Sequence, residues 1–186
     1  GMEGLLGLNL VSNQLGGQLP ASWPRMAALR LLDLVFNQLT GQLPGSWGNW
    51  SSLQVLSVVG NQLTGQLPDS WGGMIRMQFL ELSDNKLTGQ LPGSWGGLAA
   101  LNWLLLANNQ DLTGSIPCSW VNMGSQNTAG AGGVLGLLSL SGTGVIGCYP
   151  TTALEAAAAP YNDSVSGVRG ERPLCRHTHT WLQPQA

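Results

Sequence analysis

Asn37-Gln38-Leu39-Thr40-Gly41-Gln42-Leu43-Pro44-Gly45-Ser46-Trp47 is the stretch on which the reading of this chain turns. It returns at Asn61–Trp71 and at Asn85–Trp95. A looser copy occupies Asn13–Trp23, with Gly16 where Thr40 stands. Another, Asn109–Trp120, is stretched so that Gln110-Asp111 fills a single position. The asparagines Asn13, Asn37, Asn61, Asn85 and Asn109 follow one another at one constant interval. A fixed period of this size marks a solenoid, in which each unit buries its apolar face only against its neighbours.

The residues before each asparagine complete the unit. They read Leu29-x-x-Leu32-x-Leu34-x-x-Asn37, Leu53-x-x-Leu56-x-Val58-x-x-Asn61 and Met77-x-x-Leu80-x-Leu82-x-x-Asn85. This is the pattern L-x-x-L-x-L-x-x-N-x-L of the leucine-rich repeat. With the continuation Leu-Thr-Gly-x-Leu-Pro-x-x-Trp, the chain resembles the plant-type form found in receptor-kinase ectodomains, receptor-like proteins, polygalacturonase inhibitors and green-algal proteins. The resemblance covers roughly positions 5 to 150. It implies a right-handed, β-rich solenoid with short parallel strands on the concave face and mostly turns and 3-10 segments on the convex side.

Each L-x-L segment alternates, which predicts a short strand with leucines inward and the intervening residues outward. Stacked strands lie ~4.8 Å apart in a parallel sheet. The asparagine column reads as a buried ladder, because its amide can satisfy carbonyls and N–H groups of its own and adjacent turns. The tryptophan column Trp23, Trp47, Trp71, Trp95 and Trp120 reads as core, with a row of sugar-stacking rings as the alternative. Gly41, Gly65 and Gly89 mark close approach or unusual backbone angles. Thr and Gln also recur at coil spacing, which raises binding to a flat surface as a minor alternative, weakened by the break at Gly16.

About six coils fill residues 1–150, the last degenerate and preceded by an inserted Gly- and Asn-rich loop at 121–133. Residues 151–186 read as a cap and a loose tail. The N-terminal leucines Leu5, Leu8 and Leu10 already belong to a coil, so further coils or a cap are expected before Gly1.

Composition narrows the function. Only 9% of the chain is charged and the net charge is −2, which supplies no basic stripe for nucleic acid. Gly133–Tyr149 is apolar but shorter than ~18 residues, so no membrane segment is expected. The histidines His177 and His179 both stand in the tail, where with Cys175 they define no metal geometry. No catalytic set, metal site or cofactor is expected.

Cys118, Cys148 and Cys175 form no C-x-x-C pair. The resemblance implies a Cys148–Cys175 bridge in the C-terminal cap; three reduced thiols are the other reading. Asn49-Trp50-Ser51 and Asn162-Asp163-Ser164 are glycosylation sequons.

By repeat register the outward residues of the concave face are Arg30, Asp33, Phe36, Gln54, Ser57, Gln78, Phe79, Glu81, Asp84, Asn102, Trp103, Leu105 and Asn108. Phe79 and Trp103 belong to a column read as half-buried, with Leu31, Val55 and Leu137. A ridge from Phe36 through Ser57 and Glu81 to Leu105 is expected on successive strands. These residues predict a non-catalytic recognition module that takes a protein, peptide or oligosaccharide, uncharged or mildly basic, at the cell surface or outside the cell. The alternative is an intracellular scaffold associated with the cytoskeleton or a cilium.

Overall fold

The computed structural model describes residues 3–126 and 135–146. The Cys148–Cys175 pair, the Asn162 sequon, the cap at 151–186 and most of the loop expected at 121–133 lie outside them. Cys118 is a half-buried free thiol.

The chain coils repeatedly through two strands and a 3-10 segment. The first coil holds β1 (Gly7–Asn9), β2 (Gly16–Gln18) and the 3-10 segment Trp23–Arg25. The second holds β3 (Leu31–Asp33), β4 (Gln38–Thr40) and Gly45–Asn49. The third holds β5 (Val55–Ser57), β6 (Thr64–Gln66) and Asp69–Gly73. The fourth holds β7 (Phe79–Glu81), β8 (Lys86–Gln90) and Gly93–Gly97. The fifth holds β9 (Trp103–Leu105), β10 (Asp111–Ser115) and Cys118–Asn122. Then come β11 (Leu137–Ser139) and β12 (Gly144–Ile146).

The strands β1-β3-β5-β7-β9-β11 form one parallel sheet in that order. Its register follows the sequence period: Leu31 pairs with Val55, Val55 with Phe79 and Phe79 with Trp103. The middle residues Leu32, Leu56, Leu80 and Leu104 point into the core and are fully covered.

A second parallel sheet was not expected. The segments read as turns after each asparagine pair with one another, as β2-β4 and as β6-β8-β10-β12, joined by a bridge from Gln42 to Thr64. Here Gly16 pairs with Gln38 and Thr64 with Lys86, two positions short of the full repeat period. The stagger of two keeps each side chain on its own face. It also sets Gln42 opposite Thr64 of the next coil, not opposite Gln66, with its side chain reaching over Gly65. A Cβ at Gly65 would stand 2.8 Å from Cγ of Gln42. The positive φ of Gly65, 78°, is the second reason that glycine occupies this position. Each Gln therefore stands opposite the Thr of the next coil, Gln18 opposite Thr40 and Gln66 opposite Thr88, so the separate Thr and Gln columns of the sequence merge into mixed rows.

Three ladders tie the coils together. The side-chain oxygen of Asn61 accepts the N–H of Leu39 at 3.0 Å, and its amide nitrogen donates to the carbonyls of Leu34 and Val58 at 3.0 and 2.9 Å. Asn37, Asn85 and Asn109 repeat this arrangement and are buried. Asn13 departs from the buried column: it is exposed and bonds only within its own turn, to Leu10 and Val11.

The indoles stack with ring centroids about 6 Å apart and planes within 7°. Trp71 Nε1 donates to the Pro44 carbonyl of the preceding coil at 3.0 Å, and Trp47, Trp95 and Trp120 do the same to Pro20, Pro68 and Pro92. Trp47, Trp71, Trp95 and Trp120 are buried, so this column is core and not a sugar platform.

On the convex side the hydroxyls of Ser46, Ser70, Ser94 and Ser119 donate to carbonyls of the preceding coil at 2.6–2.8 Å.

Candidate recognition surface

Two lanes run along the outward side of the first sheet. Because only the middle residue of each strand faces the core, the first and third face away from it. The first residues form an apolar lane: Leu31, Val55, Phe79, Trp103 and Leu137. Val55, Phe79 and Leu137 are half-buried as expected of this column, and Leu31 and Trp103 are exposed, Trp103 at 42%. The Phe79 and Trp103 rings meet at 5.3 Å with a tilt of 40°.

The third residues form a lane that is polar except at Leu105: Asn9, Asp33, Ser57, Glu81, Leu105 and Ser139. Ser57 is in this lane but only 6% exposed. Its hydroxyl donates to Oε2 of Glu81 at 3.2 Å, so the larger neighbour covers it. The expected role of Ser57 as an open contact is thereby corrected to support of Glu81.

Burial pushes the Glu81 carboxyl above its ordinary value; the Ser57 hydrogen bond opposes this, and Asp33 and Asp84 add to it by like-charge repulsion. Asp33 also accepts the N–H of Val35 at 3.3 Å.

Beyond the strands the inter-coil ladder continues for one more step. The N–H of Phe36 donates to the carbonyl of Val59 at 2.8 Å, and that of Asp84 to Ala107 at 2.9 Å. Here the backbone turns left-handed: φ is 54° at Ser12, 52° at Phe36, 66° at Gly60, 55° at Asp84, 57° at Asn108 and 69° at Gly142. Gly, Asp and Asn tolerate this region; a bulky ring at Phe36 is an outlier. The reversal directs the following asparagine into the core.

Phe36 consequently does not share the register of Ser57 and Glu81. Asp33 pairs with Ser57, and Phe36 stands three residues further along. The expected straight ridge is instead a line Asp33–Ser57–Glu81–Leu105 with Phe36, Gly60, Asp84 and Asn108 in a separate column beside it. Asn108 donates to Oδ1 of Asp84 at 2.7 Å, which fixes that carboxylate. Phe36 is 61% exposed. Arg30 and Gln78 are exposed, and Gln54 and Asn102 half-buried, at the entry to the strands.

Asn49 ends the 3-10 segment Gly45–Asn49 on the convex side and is exposed. Among the described residues no group of three His, Cys, Asp or Glu side chains is placed to hold a metal ion. No described helix is long and apolar enough to cross a membrane.

Family models described as leucine rich repeat match residues 43–110 and 28–50. Among solved structures, the plant peptide hormone receptor RGFR1, solved in complex with RGF2, is 33% identical with a TM-score of 0.71. That alignment covers 80% of this chain and 22% of the receptor chain, so the chain spans about a fifth of the receptor's length. A chain of the BIR3–SERK2 complex from Arabidopsis thaliana is 33% identical with a TM-score of 0.62, over 76% of this chain and 69% of that one. The leucine-rich-repeat ectodomain of the receptor kinase SOBIR1 from Arabidopsis thaliana is 30% identical with a TM-score of 0.65, over 75% of this chain and 72% of that one. No curated protein sequence matches the chain. The period, the paired sheets, the asparagine ladder and these likenesses agree, and the chain belongs to the leucine-rich-repeat family in its plant type.

Proposed function

We propose that the chain is a non-catalytic recognition module that docks a protein or peptide on the outward face of its first sheet, at the cell surface or outside the cell. The observation that carries this reading is the outward apolar lane Leu31–Val55–Phe79–Trp103, exposed at Leu31 and Trp103, set beside the carboxylates Asp33, Glu81 and Asp84. An apolar strip rimmed by polar groups is the form of a binding surface. Phe36 supports it from another direction, because a bulky exposed residue held at positive φ costs stability and stores strain where function uses it. The solved complex of RGFR1 with RGF2 is a peptide-hormone complex on a related scaffold. An exposed Asn49 on the opposite side leaves the sheet face free of any glycan carried there.

The test is to select ligands for the immobilised chain from peptide and glycan libraries, then map each by hydrogen exchange. Slowed exchange in β3, β5, β7 and β9 on ligand addition supports the reading. Protection confined to the 3-10 segments Gly45–Asn49, Asp69–Gly73 and Gly93–Gly97 would show that the convex side is the docking face.

A further inference from the structure

We propose that the ligand is an extended basic peptide, and that one lysine or arginine side chain of it seats between the Phe79–Trp103 ring pair and the carboxylates of Glu81 and Asp84. This rests on the docking face proposed above and adds the chemistry of the partner.

The groups are gathered by register. Phe79 and Glu81 flank Leu80 on one strand, so they project from one face about 7 Å apart. Trp103 and Leu105 stand opposite them on the next strand, ~4.8 Å away. Trp103 brings its ring against Phe79 at 5.3 Å. Asp84 follows three residues after Glu81, held by Asn108. An exposed indole, a second ring and two carboxylates thus border one patch of sheet. A cation over an indole face is attracted by the ring quadrupole. Its N–H groups also make charge-assisted hydrogen bonds to carboxylates.

Charge balance selects the occupant. The side chains acting on Glu81 are Ser57, Asp33 and Asp84, with no cation among them. Among the described residues, the cation expected on this face, Arg30, stands on the second coil, two strands from Glu81, or ~10 Å. A like-charged, partly desolvated carboxylate gains more from an arriving cation than a solvated one does. An acidic peptide is repelled for the same reason.

The experiment titrates the whole 186-residue chain with a labelled, blocked hexapeptide of alternating leucine and arginine. A second hexapeptide carries citrulline in place of arginine, and cellohexaose serves as the neutral sugar. The arginine peptide should bind roughly tenfold tighter than the citrulline peptide at ~0.1 M salt. The double variant Glu81→Gln/Asp84→Asn should reduce it to the citrulline level, and Trp103→Ala should weaken it roughly tenfold. Asp111→Asn, an exposed carboxylate on β10, should leave it unchanged, which separates a seated cation from general attraction to an acidic protein.

Equal binding of the two peptides, absence of arginine-peptide binding, or indifference to the double variant overturns the inference. Preference for cellohexaose, lost in Trp103→Ala, also overturns it. If both peptides bind equally and both are lost in Trp103→Ala, the docking face stands and only the cation falls. Binding that ignores Trp103→Ala and the double variant but is lost in Gln42→Ala removes the face itself.

Discussion

The ring of Phe36 lies against Gly60 of the next coil, so closely that a Cβ on Gly60 has no room beside Cδ1 of Phe36. Both residues are at positive φ, 52° and 66°. Phe36→Asn should relieve a left-handed cost of about 1 kcal/mol and raise Tm by about 2–4 °C. Gly60→Ala should lower Tm, through its φ and through contact with the ring. Its cost should shrink in the Phe36→Asn background, since the ring is then gone. A thermal-melt cycle with fully additive effects would show that ring and glycine do not interact.

Asn61→Ala should destabilise far more than Gln62→Ala. Asn61 is buried and bonds to Leu34, Leu39 and Val58; truncation leaves those groups unpaired at about 1–3 kcal/mol or more. Gln62 is exposed, where changes stay within about 0.5 kcal/mol. Equal Tm shifts for the two variants would remove the ladder argument.

Gly72 and Gly73 are adjacent and should respond differently to alanine. A Cβ on Gly72 collides with the backbone carbonyl of Ser94 in the next coil, which is held by its own ladder. A Cβ on Gly73 meets the Gly48 carbonyl at an ordinary 3.7 Å. Gly72→Ala should cost about 1–3 kcal/mol and Gly73→Ala less than about 0.5 kcal/mol. Denaturation of the two variants side by side decides it; a harmless Gly72→Ala would mean that the coils can separate at no cost.

Trp71→Phe should cost more than Trp50→Phe. Both indoles are buried, and Trp50 packs on Trp47 at 4.8 Å. Trp71 Nε1 donates to Pro44, whereas Trp50 Nε1 is buried without a hydrogen-bond partner among the described residues. Removing an unsatisfied N–H returns about 1–3 kcal/mol of desolvation cost, which offsets part of the lost packing. Equal destabilisation of the two variants would sink this account of Trp50.

Glu81 sets a pH dependence of known sign. Burial first, then Asp33 and Asp84, raise its folded-state pKa. The folded chain therefore holds the proton more tightly than the unfolded chain. This favours folding fully below the unfolded-state pKa and is lost as pH rises through the folded one. Glu81→Gln should melt above the wild type at pH 7, with the gap closing on acidification through the carboxylate range. Partial exposure keeps the gap small. A gap that is constant with pH, or reversed in sign, contradicts the assignment.

The repeat period, the inward leucines and the asparagine and tryptophan columns were legible because each follows from a local alternation repeated without change. So was the set of outward positions of the first sheet, since they alternate with buried ones on every strand. The second sheet was not legible. Thr-Gly-Gln reads as a turn in isolation and becomes a strand only when the next coil supplies its partner, two positions short of a full repeat. That stagger belongs to the twist between coils, which no single repeat contains. The left-handed column at Phe36 was hidden for a related reason: the backbone there must reverse to bury Asn37, whatever side chain it carries. Ser57 aligned with open positions, yet it is covered because Glu81 stands beside it. Composition and period determined which residues turn inward; the neighbouring coil decided which of the outward ones remain open to a partner.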